Sequence, residues 1–170
     1  MIRKCFQNSD FRLLWSAGCM TGIARAMEFL ALSLYVLQEL GLPYLVTIIF
    51  AARMLPMSLF GIIIGTISER ISPVAIIKTI YGISNIITGI SVLLVFTGNF
   101  NVIFAFILAF TNGITWVVDL AVRRRVLVDH INKKLLSSSL AMETLSNNAT
   151  RLIGPLCAGV IYTYIGLEGI

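Results

Sequence analysis

Long apolar stretches separated by short polar turns dominate the chain. They cover about residues 12–38, 44–67, 74–97, 102–118 and 140–164. Most of them reach the roughly 20 residues that an α-helix needs to cross a bilayer. Gly41 and Pro43 punctuate the first turn, as expected of residues that interrupt helices. The pattern predicts an all-α fold, a multi-pass transmembrane helical bundle with about five spans.

Composition points to the same class of protein. The chain is 58% hydrophobic and 12% charged, with a mean hydropathy of +0.92, whereas soluble domains carry about 25% charged residues. Its three cysteines are scattered and show neither metal spacing nor a disulfide framework. Nucleophile–base pairs, phosphate-cradling loops and metal-ligand clusters are not evident. We therefore expect no enzyme activity, no catalytic residues, no metal and no cofactor.

Basic residues are distributed asymmetrically along the chain. Of the 13 Lys and Arg residues, 11 fall at one set of helix ends, and the opposite turns at 39–43 and 98–101 hold none. Cytoplasmic loops of membrane proteins carry such an excess. We expect a protein of the cell membrane whose N-terminus, 68–73 turn and basic segment 119–139 are cytoplasmic. The net charge of +5 then faces lipid headgroups, and no nucleic-acid partner is expected.

Three ionisable side chains fall inside apolar stretches, where charge is costly and tends to be functional. Glu28 and Arg53 each lie ten residues from the outer end of their helix, so antiparallel neighbours would bring them to one depth. Arg25 lies one turn from Glu28 on the same face. Two interpretations remain open. The cluster is either a proton-coupling site facing a water-filled path, with Glu28 as the protonatable group, or a structural ion pair.

Small residues indicate candidate packing faces. Gly61 and Gly65 form a GxxxG pair, which lets membrane helices approach closely. Gly154 and Ala158 repeat this spacing in the last helix, and Pro155 should bend that helix because it removes a backbone hydrogen bond.

Asp119 precedes Arg123 by one helical turn at the end of the fourth apolar stretch. The favoured interpretation is an i,i+4 pair on the protein surface, because such pairs are common and weak. The alternative is a charge network that these two residues share with Glu69 and Arg70.

Four segments, in this order, resemble the N-terminal half of a major facilitator superfamily transporter: residues 8–15, 51–56, 65–70 and 140–155. The nearest subgroup is that of the drug:proton exporters, which includes macrolide-efflux and enterobactin-exporter proteins. Segment 65–70 resembles the family's signature loop between helices two and three. Glu69 stands where the family has Asp, and Ser72 and Pro73 stand where it has Gly and a basic residue.

The resemblance implies that helices one, two, four and five line a substrate path. The residues of the cytoplasmic gate motif would be Gly61, Gly65, Glu69, Arg70, Asp119 and Arg123. Those of a kink in helix five would be Gly154, Pro155 and Gly159.

The resemblance also implies twelve helices in two halves, so we expect a truncated or fragmentary transporter. Its parent would be a proton-coupled exporter, an antiporter, of amphipathic organic compounds. The expected partners are the lipid bilayer, a small-molecule substrate in the complete transporter, and the missing second half or other membrane helices. The alternative is a small non-transporting membrane protein that assembles with other helices through its Gly61 and Gly65 face.

Overall fold

The computed structural model describes residues 9–39, 41–130 and 133–166, which fold into five α-helices. In chain order these are α1 (Ser9–Glu39), α2 (Pro43–Arg70), α3 (Pro73–Phe96), α4 (Val102–His130) and α5 (Lys133–Ile165). Each of α1 to α4 contains a stretch that is long and apolar enough to cross a membrane. The helix α5 is not among these four, since polar residues occupy much of its N-terminal half. The predicted all-α, multi-pass helical bundle is confirmed.

The helices α4 and α5 are longer than the apolar stretches that predicted them. α4 continues past residue 118 to His130, and α5 already begins at Lys133. The polar continuation of α4 keeps an apolar face, because Val118, Val122 and Leu127 are all buried. Burial of that face against neighbouring helices explains why the basic segment continues as helix.

Local sequence explains how the chain turns between α2 and α3. Ser72 is the N-cap of α3, and its side chain accepts a hydrogen bond from the Ala75 backbone N–H at 3.4 Å. Pro73 takes the first helical position, where its missing N–H costs nothing and its fixed φ suits the helix. Ser72 and Pro73, which depart from the family's loop motif, therefore form a helix start.

The helix α4 lies at the centre of the bundle and contacts each of the other four helices, α2 most extensively, while α1 packs mainly against α5. Towards one end of the bundle lies a core of buried apolar residues: Leu32, Val36, Ile49, Ala105, Leu108 and Ala109. Towards the other end, Phe11 and Leu127 form a second cluster, joined by Trp15 and Leu136.

Hydrogen bonds connect helices and turns at the two ends of the bundle. Tyr35 of α1 donates its hydroxyl proton to the Phe100 carbonyl at 2.6 Å, in the uncharged turn before α4. At the opposite end, Arg125 Nη1 donates to the Ile71 carbonyl at 3.0 Å, in the turn between α2 and α3. The basic run of α4 and the α2–α3 turn therefore lie at the same end.

Many large apolar side chains face outward, among them Ile62, Leu93 and Leu156. Soluble monomers rarely expose extended apolar surface. In a bilayer this surface is covered by lipid tails, which are as apolar as leucine. The outward-facing composition therefore agrees with the four apolar helices in placing the protein in a membrane.

Close helix contacts occur at glycines other than Gly61 and Gly65, the GxxxG pair of α2. A Cβ atom on Gly113 of α4 would meet the Arg53 backbone oxygen, and would lie 3.0 Å from Pro56 Cγ of α2. A Cβ on Gly61 or Gly65 would meet no described heavy atom within 4 Å. The contact between α2 and α4 therefore depends on Gly113.

The same close approach joins α1 and α5. A Cβ on Gly22 would lie 2.6 Å from Thr150 Oγ1, and one on Gly154 would meet Ala26 Cβ and lie 3.0 Å from the Ile23 carbonyl. Gly18, Gly22 and Ala26 recur every fourth residue of α1. This run of small residues has the same spacing as the GxxxG pair in α2.

Gly113→Ala is expected to destabilise the protein by about 1–3 kcal/mol, because an added methyl group meets backbone that cannot move aside cheaply. Gly61→Ala is the matched control and should be neutral or slightly stabilising. Thermal unfolding of the purified protein in detergent, followed by circular dichroism, measures both variants. Equal melting temperatures for the two variants would contradict the α2–α4 contact.

Candidate functional site

Asp119 of α4 is the centre of a buried charge network. Its Oδ2 accepts a hydrogen bond from Arg25 Nη2 of α1 at 2.8 Å, and its Oδ1 accepts one from Arg123 Nε at 2.7 Å. The Tyr81 hydroxyl of α3 also donates to Oδ1, at 3.0 Å. Only 3% of Asp119 and 7% of Arg123 are exposed. One carboxylate therefore connects three helices through charged and hydroxyl donors.

Arg123 extends from α4 across the first turns of α1. Its Nη1 donates to the Leu14 carbonyl at 2.7 Å, and its Nη2 donates to Thr21 Oγ1 at 3.3 Å. The guanidinium group occupies the space that a Cβ on Gly18 would take.

The expectation of a surface pair at Asp119 and Arg123 is therefore wrong. The i,i+4 contact exists, but it lies inside the bundle because α4 is central and α1 covers this face. Spacing along one helix cannot distinguish the two cases, since it is the same for a buried and an exposed pair.

Glu28 of α1 forms a hydrogen bond with an amide, and it has no ion pair within 4.0 Å among the described side chains. Asn112 Nδ2 of α4 donates a hydrogen bond to Glu28 Oε2. Glu28 Oε1 and Asn112 Oδ1 are both buried and have no hydrogen-bond partner in the described part of the chain. Sequence reasoning missed Asn112, although it is one of the few polar side chains in the uncharged run 102–118.

Arg53 of α2 reaches the same interior region from the opposite side. Its Nη1 donates to the Arg25 carbonyl at 3.2 Å. Its guanidinium carbon lies 5.0 Å from the ring centroid of Phe29 and 6.0 Å from that of Trp116, within cation–π range. Among the described side chains, no ion pair within 4.0 Å joins Glu28 to Arg53 or to Arg25.

The predicted cluster of Arg25, Glu28 and Arg53 is thus brought together but divided between two cavities. Glu28 lines a cavity of about 330 Å³ between α1, α3 and α4. Arg25 and Arg53 line another, of about 340 Å³, between α1, α2, α4 and α5. The helices α1 and α4 contribute lining residues to both cavities.

The other predicted site residues lie in α2 and α5, and the structure describes them to different extents. Glu69 and Arg70 belong to the last turn of α2, but their side chains lie outside the described part of the structure. Gly154 is buried at the contact with α1, and Pro155 lies inside α5. A Cβ on Gly159 would meet no described atom within 4 Å, so this glycine is not needed for packing there.

The arrangement gives the two interior carboxylates different partners. The interior holds one carboxylate between two guanidinium groups and a second carboxylate that contacts a neutral amide. Among the described residues, no group of three or more His, Cys, Asp and Glu could hold a metal ion.

A family model described as transmembrane secretion effector matches residues 4–168. The matched region includes all five helices of the structure. Searches of curated proteins and of solved structures gave no significant match. The resemblance read from the motifs is thereby confirmed at the level of the superfamily, whereas the exporter subgroup stays a prediction.

Asp119→Asn is expected to destabilise the protein by about 3–5 kcal/mol, because it leaves two largely buried guanidinium groups without their counter-charge. Asp129→Asn is the matched control on the same helix. Asp129 pairs with Arg125 at 3.5 Å and its side chain is 49% exposed, so its loss should cost no more than about 1 kcal/mol. Unfolding in detergent measures both, and similar losses for the two variants would contradict the role given to Asp119.

Proposed function

Because this chain belongs to the transmembrane secretion effector family of the major facilitator superfamily, we propose that it forms part of a transporter that exports amphipathic organic compounds in exchange for protons. The chain is a multi-pass membrane protein with four helices apolar enough to span a bilayer. The observation that carries proton coupling is the contact between Glu28 and Asn112.

Asn112 can serve both protonation states of Glu28. An amide offers two N–H donors and one acceptor oxygen, while a carboxylic acid has one O–H donor. An ionised Glu28 would accept a hydrogen bond from Asn112 Nδ2, which is the contact present in the structure. Once protonated, Glu28 can donate its proton to an acceptor such as Asn112 Oδ1, which now has no described partner.

Glu28 has no ion pair within 4.0 Å among the described residues, and this favours proton binding at its carboxylate. A carboxylate inside a membrane protein is costly unless a cation compensates its charge. Arg25, the cation one turn away, is already engaged by Asp119. A proton therefore supplies the compensation at Glu28.

Asp119 is not the proton site in this proposal. Two arginines and a tyrosine hydroxyl already stabilise its ionised form. Charge-assisted hydrogen bonds of this kind are about twice as strong as neutral ones. We assign Asp119 the structural task of holding α1 against α4.

The substrate path in this proposal is the cavity between α1, α2, α4 and α5. Glu28 lies on the other side of α1, so protons and substrate are handled on separate faces of one helix. Arg25 lies one turn from Glu28 and lines the substrate side. The helix α1 is therefore the element through which proton binding would affect the substrate cavity.

A second candidate function is that of a non-transporting membrane protein that assembles with other helices. One observation favours it: the face of α2 around Gly61 is open, since a Cβ there would meet no described atom within 4 Å. Family membership favours the transporter. In a transporter, further helices of the protein would cover the same face.

Glu28→Gln is expected to lower proton-driven export by about tenfold or more, because glutamine keeps the shape of the protonated acid and cannot release a proton. The full-length protein is expressed in cells, and efflux of a panel of cationic, neutral and anionic fluorescent dyes is measured with and without a protonophore. Asp129→Asn is the control and should retain wild-type efflux. Protonophore-sensitive efflux of an exported dye at the wild-type rate in Glu28→Gln, at equal protein levels, would exclude this role.

Orientation is tested by thiol labelling in a background without native cysteines. Arg124 and Asn99 are both exposed and lie at opposite ends of the bundle. A membrane-impermeant maleimide added to intact cells should label Asn99→Cys and not Arg124→Cys, because the basic end faces the cytoplasm. The reverse labelling pattern would mean that the N-terminus lies outside.

A further inference from the structure

The cavity between α1, α2, α4 and α5 has an unusual lining for the interior of a membrane protein. It measures about 340 Å³, within the range of about 300–1,000 Å³ that is typical of small-molecule sites. None of the described residues that line it is acidic. Its charged and aromatic lining residues are Arg25, Arg53, Arg151, Phe29, Phe50 and Trp116.

The positive charge of this cavity is only partly compensated. Arg25 pairs with Asp119, yet its Nη1 is buried without a hydrogen-bond partner among the described groups. Arg53 and Arg151 have no described carboxylate within 4.0 Å. Guanidinium groups remain protonated in proteins, so the cavity presents a surplus of cations.

Two of these arginines are held by the same aromatic ring. The guanidinium carbon of Arg151 lies 4.9 Å from the Trp116 ring centroid, and that of Arg53 lies 6.0 Å from it. A cation–π contact uses the face of the guanidinium plane and leaves its in-plane N–H donors free. Such donors match the two oxygens of a carboxylate or sulfonate.

The aromatic side chains supply a surface for an apolar ligand body. Phe29 and Phe50 lie edge to face, with ring centroids 5.7 Å apart. Together with Trp116 they form apolar walls between arginines that come from α1, α2 and α5. A site of this kind combines anion recognition with contacts to a planar apolar group.

We propose that this cavity binds organic anions in which a carboxylate or sulfonate is attached to an aromatic body. This deepens the proposed function and rests on it, because it names the substrate class of the same path. An amphipathic cation would meet Arg53 and Arg151, which have no described carboxylate within 4.0 Å, so it is disfavoured. An anionic lipid headgroup has related chemistry, and the test separates it from a soluble substrate.

Binding is measured by isothermal titration calorimetry on the full-length protein in nanodiscs of zwitterionic phosphatidylcholine. The probes are 2-naphthoate and its neutral analogue 2-naphthamide. We expect 2-naphthoate to bind about tenfold tighter or more than the amide, because bidentate charged contacts to arginine discriminate between the two groups. Equal affinity for the two probes, or no binding of 2-naphthoate, overturns the proposal.

Arg151→Gln should lower the affinity for 2-naphthoate by about tenfold or more, because it removes a charged contact to the carboxylate. Arg151 lines the cavity but is itself exposed, so the variant should fold. Arg53→Gln is expected to act in the same direction. The control is Arg125→Gln, which removes the same charge outside the cavity and should leave affinity unchanged. An equal loss in Arg125→Gln and Arg151→Gln would mean a general charge effect and would overturn the assignment.

A lipid ligand is distinguished by a second set of nanodiscs that contain phosphatidylglycerol. Unchanged binding of 2-naphthoate supports a soluble organic anion, whereas its complete competition by this lipid assigns the cavity to headgroups and overturns the proposal. Calorimetry needs no proton gradient. If 2-naphthoate does not bind, the conclusions about proton-driven dye export and its dependence on Glu28 therefore still stand. If dye export is not proton-driven, the calorimetric binding result still stands.

Discussion

Compensation of buried charge by Asp119 is the interaction on which the rest of the interior depends. The Arg25 and Arg123 side chains are only 12% and 9% exposed, and their nearest described carboxylate is that of Asp119. Without it, two guanidinium groups would lie inside the bundle uncompensated, at a cost of several kcal/mol. Because the partners come from α1 and α4, this charge requirement also fixes how these two helices pack.

The engagement of Arg25 by Asp119 determines the environment of Glu28. If Arg25 instead contacted Glu28, which lies one turn away, the carboxylates of Asp119 and Glu28 would compete for one guanidinium group. Instead Glu28 contacts Asn112, a neutral amide. Two carboxylates on neighbouring helices thus acquire different surroundings: one contacts two guanidinium groups, and the other, which we propose as the proton site, contacts a neutral amide. This difference follows from geometry that no single helix encodes.

Sequence patterns predicted the helices better than the contacts between them. Apolar run length placed α1, α2 and α3 within a few residues, because lipid-facing surface must be apolar along the whole span. It also identified Arg25, Glu28 and Arg53 as interior groups. It could not identify Asn112 as the partner of Glu28, since polar amides are tolerated at many positions and only packing decides which ones meet.

Small-residue spacing was equally ambiguous. Small residues recur every fourth position both at Gly61 in α2 and in the Gly18–Ala26 run of α1. An added Cβ would meet described atoms of other helices in the α1 run, but none within 4 Å at Gly61.

The helix α1 combines the two properties that a coupled transporter requires. Glu28 lines one of the two cavities beside α1, and Arg25, one turn away, lines the other, which has a surplus of positive charge. Close packing at Gly22 and Gly154 joins α1 to α5, which contributes Arg151 to the same cavity. A shift of α1 on protonation of Glu28 would therefore alter the spacing of arginines from two helices at once. Under the proposed mechanism, proton binding and anion affinity are linked by the rigid contact between α1 and α5, and no direct contact between proton and substrate is needed.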